Sequence, residues 1–204
     1  MGFYADRVVP VLIDLAMRNK RLRPYRERIV GAAEGRVLEV GIGSGLNLPL
    51  YGAGVRQVIG LDPSPRLLAW ARDTAQQLPV AVDLMQASAE AIPLDEHSVD
   101  TVVMTWTGCS IPDIAVALAE MRRVLRPTGR LFIVEHGRAP EPNVARWQDR
   151  LTPLWLRLSG GCHLNRQIDA LIEAAGFRFE RLDTGYMTAL KTFTFMYEGL
   201  ARPR

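Results

Sequence analysis

Val37-Leu38-Glu39-Val40-Gly41-Ile42-Gly43-Ser44-Gly45-Leu46-Asn47 decides how this chain folds. An apolar run of strand type breaks at three alternating glycines, and a helix-compatible segment follows. Strand, glycine-rich turn and helix form the unit with which an open α/β sheet holds a nucleotide-like ligand. The glycines let the backbone approach that ligand closely and take angles that a Cβ forbids. The spacing here is Gly-x-Gly-x-Gly, with Leu46 standing where the dinucleotide fingerprint needs its last glycine. A pyrophosphate is therefore not the expected guest. Glu39 agrees, because a carboxylate at this mouth repels phosphate and suits a cation or a hydroxyl-rich ligand.

The second anchor is Asp62, which ends the apolar run Gln57-Val58-Ile59-Gly60-Leu61 and lies 21 positions after Gly41. A carboxylate at the tip of a second strand takes both hydroxyls of a ribose. The two anchors describe a nucleoside without phosphate that carries a cationic group, and S-adenosylmethionine fits. From Val37 to Val134 the chain resembles the class I S-adenosylmethionine-dependent methyltransferases. Val37–Gly45 looks like their glycine loop and Gly60-Leu61-Asp62 like their ribose-binding acid. Ala87-Ser88-Ala89-Glu90-Ala91-Ile92-Pro93 looks like the adenine-side loop, and Leu125-Arg126-Pro127-Thr128-Gly129-Arg130-Leu131 like the turn from helix to strand. Ser88 stands where many members carry Asp, and Thr128 replaces the first glycine of the usual pair. The resemblance implies a cofactor site of Glu39, Gly41, Gly43, Gly45, Asn47, Asp62, Pro63, Ser88, Ala89 and Thr105.

Further stretches are similar to one subgroup. They are Phe3-Tyr4-Ala5-Asp6, Thr105-Trp106-Thr107-Gly108-Cys109-Ser110-Ile111-Pro112, Glu135-His136-Gly137 and Gly161-Cys162-His163-Leu164-Asn165-Arg166. The subgroup contains methyltransferase-like proteins acting on small alkyl thiols and sequences labelled phospholipid or quinone methyltransferases. It implies a small apolar acceptor, with a thiol preferred to a lipid amine or a quinone ring. Position 108 often holds Leu there, so Gly108 would enlarge or loosen the local wall.

Length and composition bound these readings. A chain of 204 residues suits one domain, and 48% apolar with 23% charged residues suits a globular fold in the cytoplasm. A net charge of +3 is too small to call for a nucleic-acid partner. Cys109 and Cys162 stand alone without CxxC spacing, which argues against a structural zinc site or a disulfide scaffold, so no metal is expected. Met1–Pro10 lacks the apolar core of a signal peptide, and Val8–Met17 is too short to span a membrane.

Along the chain, residues 3–19 read as a helix interrupted or bent near Pro10, and Pro24 starts a second. From 36 onward, strands at 36–41, 56–61, 80–86, 99–105 and 130–136 alternate with helices at 46–52, 64–77 and 112–126. Such alternation predicts a Rossmann-like, doubly wound, mostly parallel sheet with right-handed crossovers. A helical stretch at 143–158 and a helix at 165–175 follow. Two strands, Phe177–Leu182 and Thr192–Gly199, would turn around Asp183-Thr184-Gly185. The resemblance makes the sheet seven-stranded with an antiparallel C-terminal strand. The domain then divides into a helical lid (1–34), a cofactor half (36–136) and a substrate-side half (137–204).

Ligands of such sheets bind at the carboxyl ends of the strands. His136, at the tip of the fifth strand, is the first candidate for a base, against a structural histidine. His163 is the second, against a capping loop with Asn165 as N-cap. Tyr4, Trp106, Cys109 and Trp147 are the candidates for the acceptor wall, against ordinary packing. The helix over 3–19 carries an apolar side, which would close the mouth as a lid or lie on an anionic membrane together with the basic segment 18–28. A nicotinamide-dependent oxidoreductase is disfavoured by Leu46 and Glu39. A cofactor-binding module without turnover is the alternative from another class.

Overall fold

A computed structural model describes residues 7–204. Its strands are β1 (Gly35–Val40), β2 (Val55–Leu61), β3 (Ala81–Met85), β4 (Val99–Thr105), β5 (Leu125–His136), β6 (Phe177–Tyr186) and β7 (Phe195–Pro203). They form one sheet in the order β3-β2-β1-β4-β5-β7-β6. β1 to β5 pair in parallel, and β7 runs antiparallel to β5 and β6. The helices are α1 (Val9–Met17), α2 (Arg23–Val30), α3 (Pro65–Ala75), α4 (Ile114–Val124), α5 (Pro142–Leu158), α6 (Ile168–Ala174) and α7 (Lys191–Thr194).

The strands read as near-continuous apolar runs because both faces of the sheet are covered. Side chains alternate between faces with period two. Val37, Val58, Val103 and Val134 pack with Ile29 and Val30 of α2 and Leu68 of α3. Leu38, Ile59, Val102 and Ile133 pack on the other side with Leu118 and Met121 of α4 and Ile168 and Ile172 of α6. Each such side chain contributes about 1.5–3 kcal/mol by leaving water. Two carboxylates interrupt these runs at strand ends, Glu39 and Glu135, and both are buried.

The helix starts follow local chemistry. Ser64 accepts the Leu67 amide and precedes Pro65, and Asp113 accepts the Val116 amide. Four expectations need correction. The helix at 46–52 is a single 3-10 turn over Leu48–Leu50, because Asn47 turns its side chain inward rather than capping and Pro49 lacks an amide hydrogen. Pro10 sits in the first turn of α1, and the expected helix before Arg7 lies outside the described residues. β6 continues through Asp183-Thr184-Gly185, where Asp183 pairs with Glu198 and Gly185 with Met196. The reversal comes at 187–190, and α7 takes the start of the strand expected from Thr192. Asn165 does not cap a helix, since its amide donates to Asp149 (2.8 Å) and α6 begins at Ile168.

The basic segment is divided in its work. Arg28 makes a bidentate pair with Glu198 of β7 (2.7 and 2.6 Å), which ties α2 to the sheet. Arg26 is buried and donates to the Met17 carbonyl. Lys20, Arg21 and Arg23 remain exposed.

Candidate active site

Gly41, Gly43 and Gly45 all adopt positive φ after β1. A Cβ on Gly41 would collide with the Thr107 side chain, so the glycine lets the loop after β4 close against the loop after β1. The Gly43 amide donates to Asp62 Oδ2 (3.0 Å) and the Ser64 amide to Asp62 Oδ1 (2.8 Å). Asp62 is buried, and burial raises its pKa against the lowering effect of those amides. A carboxylate offers about four lone-pair sites, so acceptor capacity remains for two hydroxyls.

Glu39 lies beneath this loop. Its oxygens accept Asn47 Nδ2 and the Tyr51 hydroxyl, both at 2.8 Å. Asn47 Nδ2 also donates to Thr105 Oγ1 (3.0 Å). Asn47 Oδ1 is left buried without a partner, an acceptor that an ammonium group would satisfy. Burial pushes the Glu39 carboxyl up to about 7, against the hydrogen bonds from Tyr51 and Asn47 and the charge of Arg26. The folded protein therefore binds this proton more tightly than the unfolded chain. Its contribution to stability is full below pH 4.5, declines as pH rises to about 7 and is level above that. Glu39→Gln removes this slope. Its Tm relative to the parent is expected to rise by a few °C between those limits, about 1 kcal/mol being worth roughly 2–4 °C in a domain of this size. A Tm difference constant with pH would refute the assignment.

The tips of β4 and β5 build the neighbouring part of this sheet edge. Trp106 has φ +49, a left-handed angle rare for a bulky residue and typical of functional turns. Its ring meets Tyr25 edge-on at 6.4 Å, and the Arg26 guanidinium stacks 4.8 Å from its centroid. Glu135 is wholly buried and accepts three successive amides, from Thr107 (2.8 Å), Gly108 (2.8 Å) and Cys109 (3.4 Å). Burial pushes its carboxyl up to about 7 despite these amides. This organising role was not read from the sequence, although Glu135 carries the same signal as Glu39: a lone carboxylate ending an apolar strand.

His136 Nε2 lies 3.0 Å from Cys162 Sγ. Cys109 Sγ joins the pair, all three ligand atoms falling within 4.8 Å of one another. The absence of a metal site was expected from local spacing alone, and the fold now supplies a Cys–His–Cys cluster that spacing does not show. The Cys109 hydrogen bond, with burial, pushes the Cys162 thiol far above its usual range. The His163 amide donates to the Cys109 carbonyl (2.8 Å), while its imidazole is held below the usual value by burial and then by the charge of Arg166. Arg166 in turn bonds the Gly108 and Pro112 carbonyls.

The remaining expected residues have partners of their own. The Ser88 hydroxyl donates to Glu90 Oε2 (2.9 Å) and accepts the Glu90 amide, so it serves its own turn. Ala89 is in the core. Pro63 is exposed beside Asp62, its carbonyl taking Gln86 Nε2 (3.5 Å). Trp147 is 55% exposed on α5 under Arg150, and among the described residues no hydrogen bond or ring contact ties it to the cluster. Gly108 opens no space, because a Cβ there would already press on Met104 at 3.0 Å. Tyr4 lies outside the described residues.

α1 reaches this mouth. Asp14 Oδ1 takes the Ser44 hydroxyl (2.5 Å), and the Arg7 carbonyl takes Arg66 (3.0 Å). At the far side Val9 and Ile13 lie over Gly160. The apolar side of α1 does not face inward as expected, since Val11, Leu12 and Leu15 are exposed and the inner side carries Asp14. No helix of the described residues is long and apolar enough to cross a membrane.

Comparison with known proteins agrees with this geometry. Residues 38–133 match the family model described as a methyltransferase domain. The chain is 35% identical over 151 residues to the human thiol S-methyltransferase TMT1B, covering 71% of this chain and 62% of that protein. It is 40% identical over 110 residues to the phosphatidylethanolamine N-methyltransferase of Cereibacter sphaeroides, covering 52% of this chain and 53% of that one. The chain thus spans between half and two thirds of the length of these relatives. The crystal structure of YcgJ from Bacillus subtilis shares the fold, with TM-score 0.70 and 18% identity over 90% of this chain and 97% of that one. The glycine loop, the acid at the tip of β2, the strand order and these sequence matches place the chain in the class I methyltransferase family, whose cosubstrate is S-adenosylmethionine.

Proposed function

We propose that the chain moves the methyl group of S-adenosylmethionine onto the sulfur of a small apolar thiol. The observation that carries this is the contact between an imidazole and a thiol at the strand tips, His136 Nε2 to Cys162 Sγ at 3.0 Å. A site that holds sulfur beside imidazole has the chemistry an acceptor thiol needs. The similarity to a thiol S-methyltransferase over 71% of the chain supports the same reading. Methyl transfer from a sulfonium is an in-line displacement. It asks the protein for alignment, exclusion of water and a destination for the acceptor's proton. Trp106, clamped by Tyr25 and Arg26, supplies an apolar wall. The test is cofactor consumption across a panel of alkyl thiols, amines, phenols and quinols. Turnover confined to amines or ring carbons would overturn the thiol reading.

A second reading places the acceptor in a membrane. Val11, Leu12 and Leu15 form an exposed apolar strip beside exposed Lys20, Arg21 and Arg23, an arrangement that suits an anionic lipid surface. Sedimentation with anionic vesicles tests it.

The cofactor assignment has its own test. Asp62→Ala is expected to weaken S-adenosylmethionine binding at least tenfold in calorimetry, since hydrogen bonds to a charged group contribute about 1.5–3 kcal/mol each. Undiminished affinity in a folded variant would remove Asp62 from the ribose site.

A further inference from the structure

Three soft ligand atoms meet at the carboxyl edge of the sheet. Cys109 Sγ, His136 Nε2 and Cys162 Sγ lie within 4.8 Å of one another. They arrive from the loop after β4, the tip of β5 and the loop between α5 and α6. Packing alone does not ask for this trio, because apolar side chains of similar size would fill the space without polar atoms to satisfy. A tetrahedral zinc ion, with about 2.3 Å to sulfur and 2.0–2.1 Å to nitrogen, sets its ligand atoms roughly 3.5–3.8 Å apart. The trio would close on such an ion with shifts of about 1 Å.

The surroundings fit a catalytic ion better than a structural one. Three protein ligands leave a tetrahedral ion one open position. Cys109 is buried, whereas His136 and Cys162 are only half-buried, so the cluster has an inner and an outer side. Glu135 grips the amides of 107–109 and the His163 amide holds the Cys109 carbonyl, which fixes the sulfur in place. Arg166 lies within electrostatic reach of Cys109, Glu135 and Cys162. Zinc with two thiolates is neutral, and a third thiolate would bring one negative charge that Arg166 can offset. Thr107, two residues from Cys109, abuts Gly41. The cluster therefore stands about 7 Å along the chain from the cofactor loop.

We propose that Cys109, His136 and Cys162 bind one zinc ion whose fourth position takes the acceptor thiol. This rests on the thiol reading above and refines it. On loading, Cys109 and Cys162 each release a proton to solvent. The acceptor thiol releases its own proton to solvent as its sulfur binds the ion. A lone pair of that sulfur forms the new bond to the methyl carbon. The bond from that carbon to the cofactor sulfonium breaks, and its electron pair stays on the cofactor sulfur. The product is a neutral thioether, a poorer ligand, which leaves. His136 is here a ligand, and the ion keeps the acceptor ionised.

The test uses the full-length protein, reduced and stripped with chelator, titrated with Co2+ and then Zn2+. One equivalent of Co2+ is expected to give a thiolate-to-metal charge-transfer band with release of two protons. Zn2+ should abolish the band by displacement. Cys109→Ser, Cys162→Ser and His136→Ala should each weaken Zn2+ binding at least tenfold while circular dichroism stays that of the parent. A small alkyl thiol should shift the cobalt spectrum, and its methyl thioether should not. Absence of the band with both thiols reduced overturns the site, as does a band that survives all three substitutions. A bound ion whose spectrum ignores thiols overturns the open position, and so does full thiol turnover by the stripped enzyme. Binding and spectral shift without turnover of any thiol would instead overturn the thiol reading and leave the metal site standing.

Discussion

Deleting residues 1–19 is expected to abolish methylation of water-soluble acceptors in a chain that still folds. Val9 and Pro10 are buried, but no residue of α1 belongs to either cluster of buried apolar side chains, so the deletion leaves both clusters whole. What it removes lies at the mouth: the Asp14 bond to Ser44 in the glycine loop and the cover of Val9 and Ile13 over Gly160. Methyl transfer needs that mouth dry, and closing segments of this kind complete a site as they exclude water. Asp14→Ala is the milder form. It should retain fold and lose turnover in part, because one hydrogen bond to a charged group contributes about 1.5–3 kcal/mol. The alternative for α1 is membrane contact alone. In that case the truncated chain would lose vesicle binding and keep full activity on a soluble thiol, and such activity would end the reading of α1 as a lid.

His136→Ala is expected to lower turnover by about 10²–10⁴ while cofactor affinity stays near that of the parent. The imidazole is at the tip of β5, and the residues assigned to the cofactor belong to β1, the tip of β4 and the loops after β1, β2 and β3. The two sites therefore share a sheet edge, but among the described residues no hydrogen bond joins His136 to Glu39, Asn47 or Asp62. The loss should shrink for acceptors of low pKa, which ionise without help. Normal turnover at neutral pH would make His136 structural.

The division between what the chain announces and what folding adds follows distance along the sequence. The positions of β1 to β5 and the starts of α3 and α4 were legible because they depend on neighbours: apolar runs, Pro and Ser or Asp at helix entries, glycines at a turn. The pairing of Gly41–Gly45 with Asp62 was legible for the same reason, since β1 and β2 are consecutive parallel strands and their tips must fall together. The glycine loop also carries its own chemistry, because Leu46 and Glu39 already disfavour a pyrophosphate. Boundaries failed where one residue had two uses, as with Asn47, which looks like a helix residue and instead bonds Glu39 and Thr105.

Tertiary structure decided the cluster at the tips of β4 and β5. Glu135 serves amides 26 to 28 positions earlier, and His136 meets Cys162 26 positions later. No local spacing encodes these meetings. The first exists because β4 and β5 pair in register, Thr105 beside Val134, and the second because the loop between α5 and α6 returns to that edge, where the His163 amide bonds the Cys109 carbonyl. The same holds for α1, whose period shows an apolar side but not its direction. Asp14 finds Ser44 and turns that side outward. Periodicity reports what a segment prefers to bury, whereas the direction it faces is set by partners brought near only when the sheet is complete.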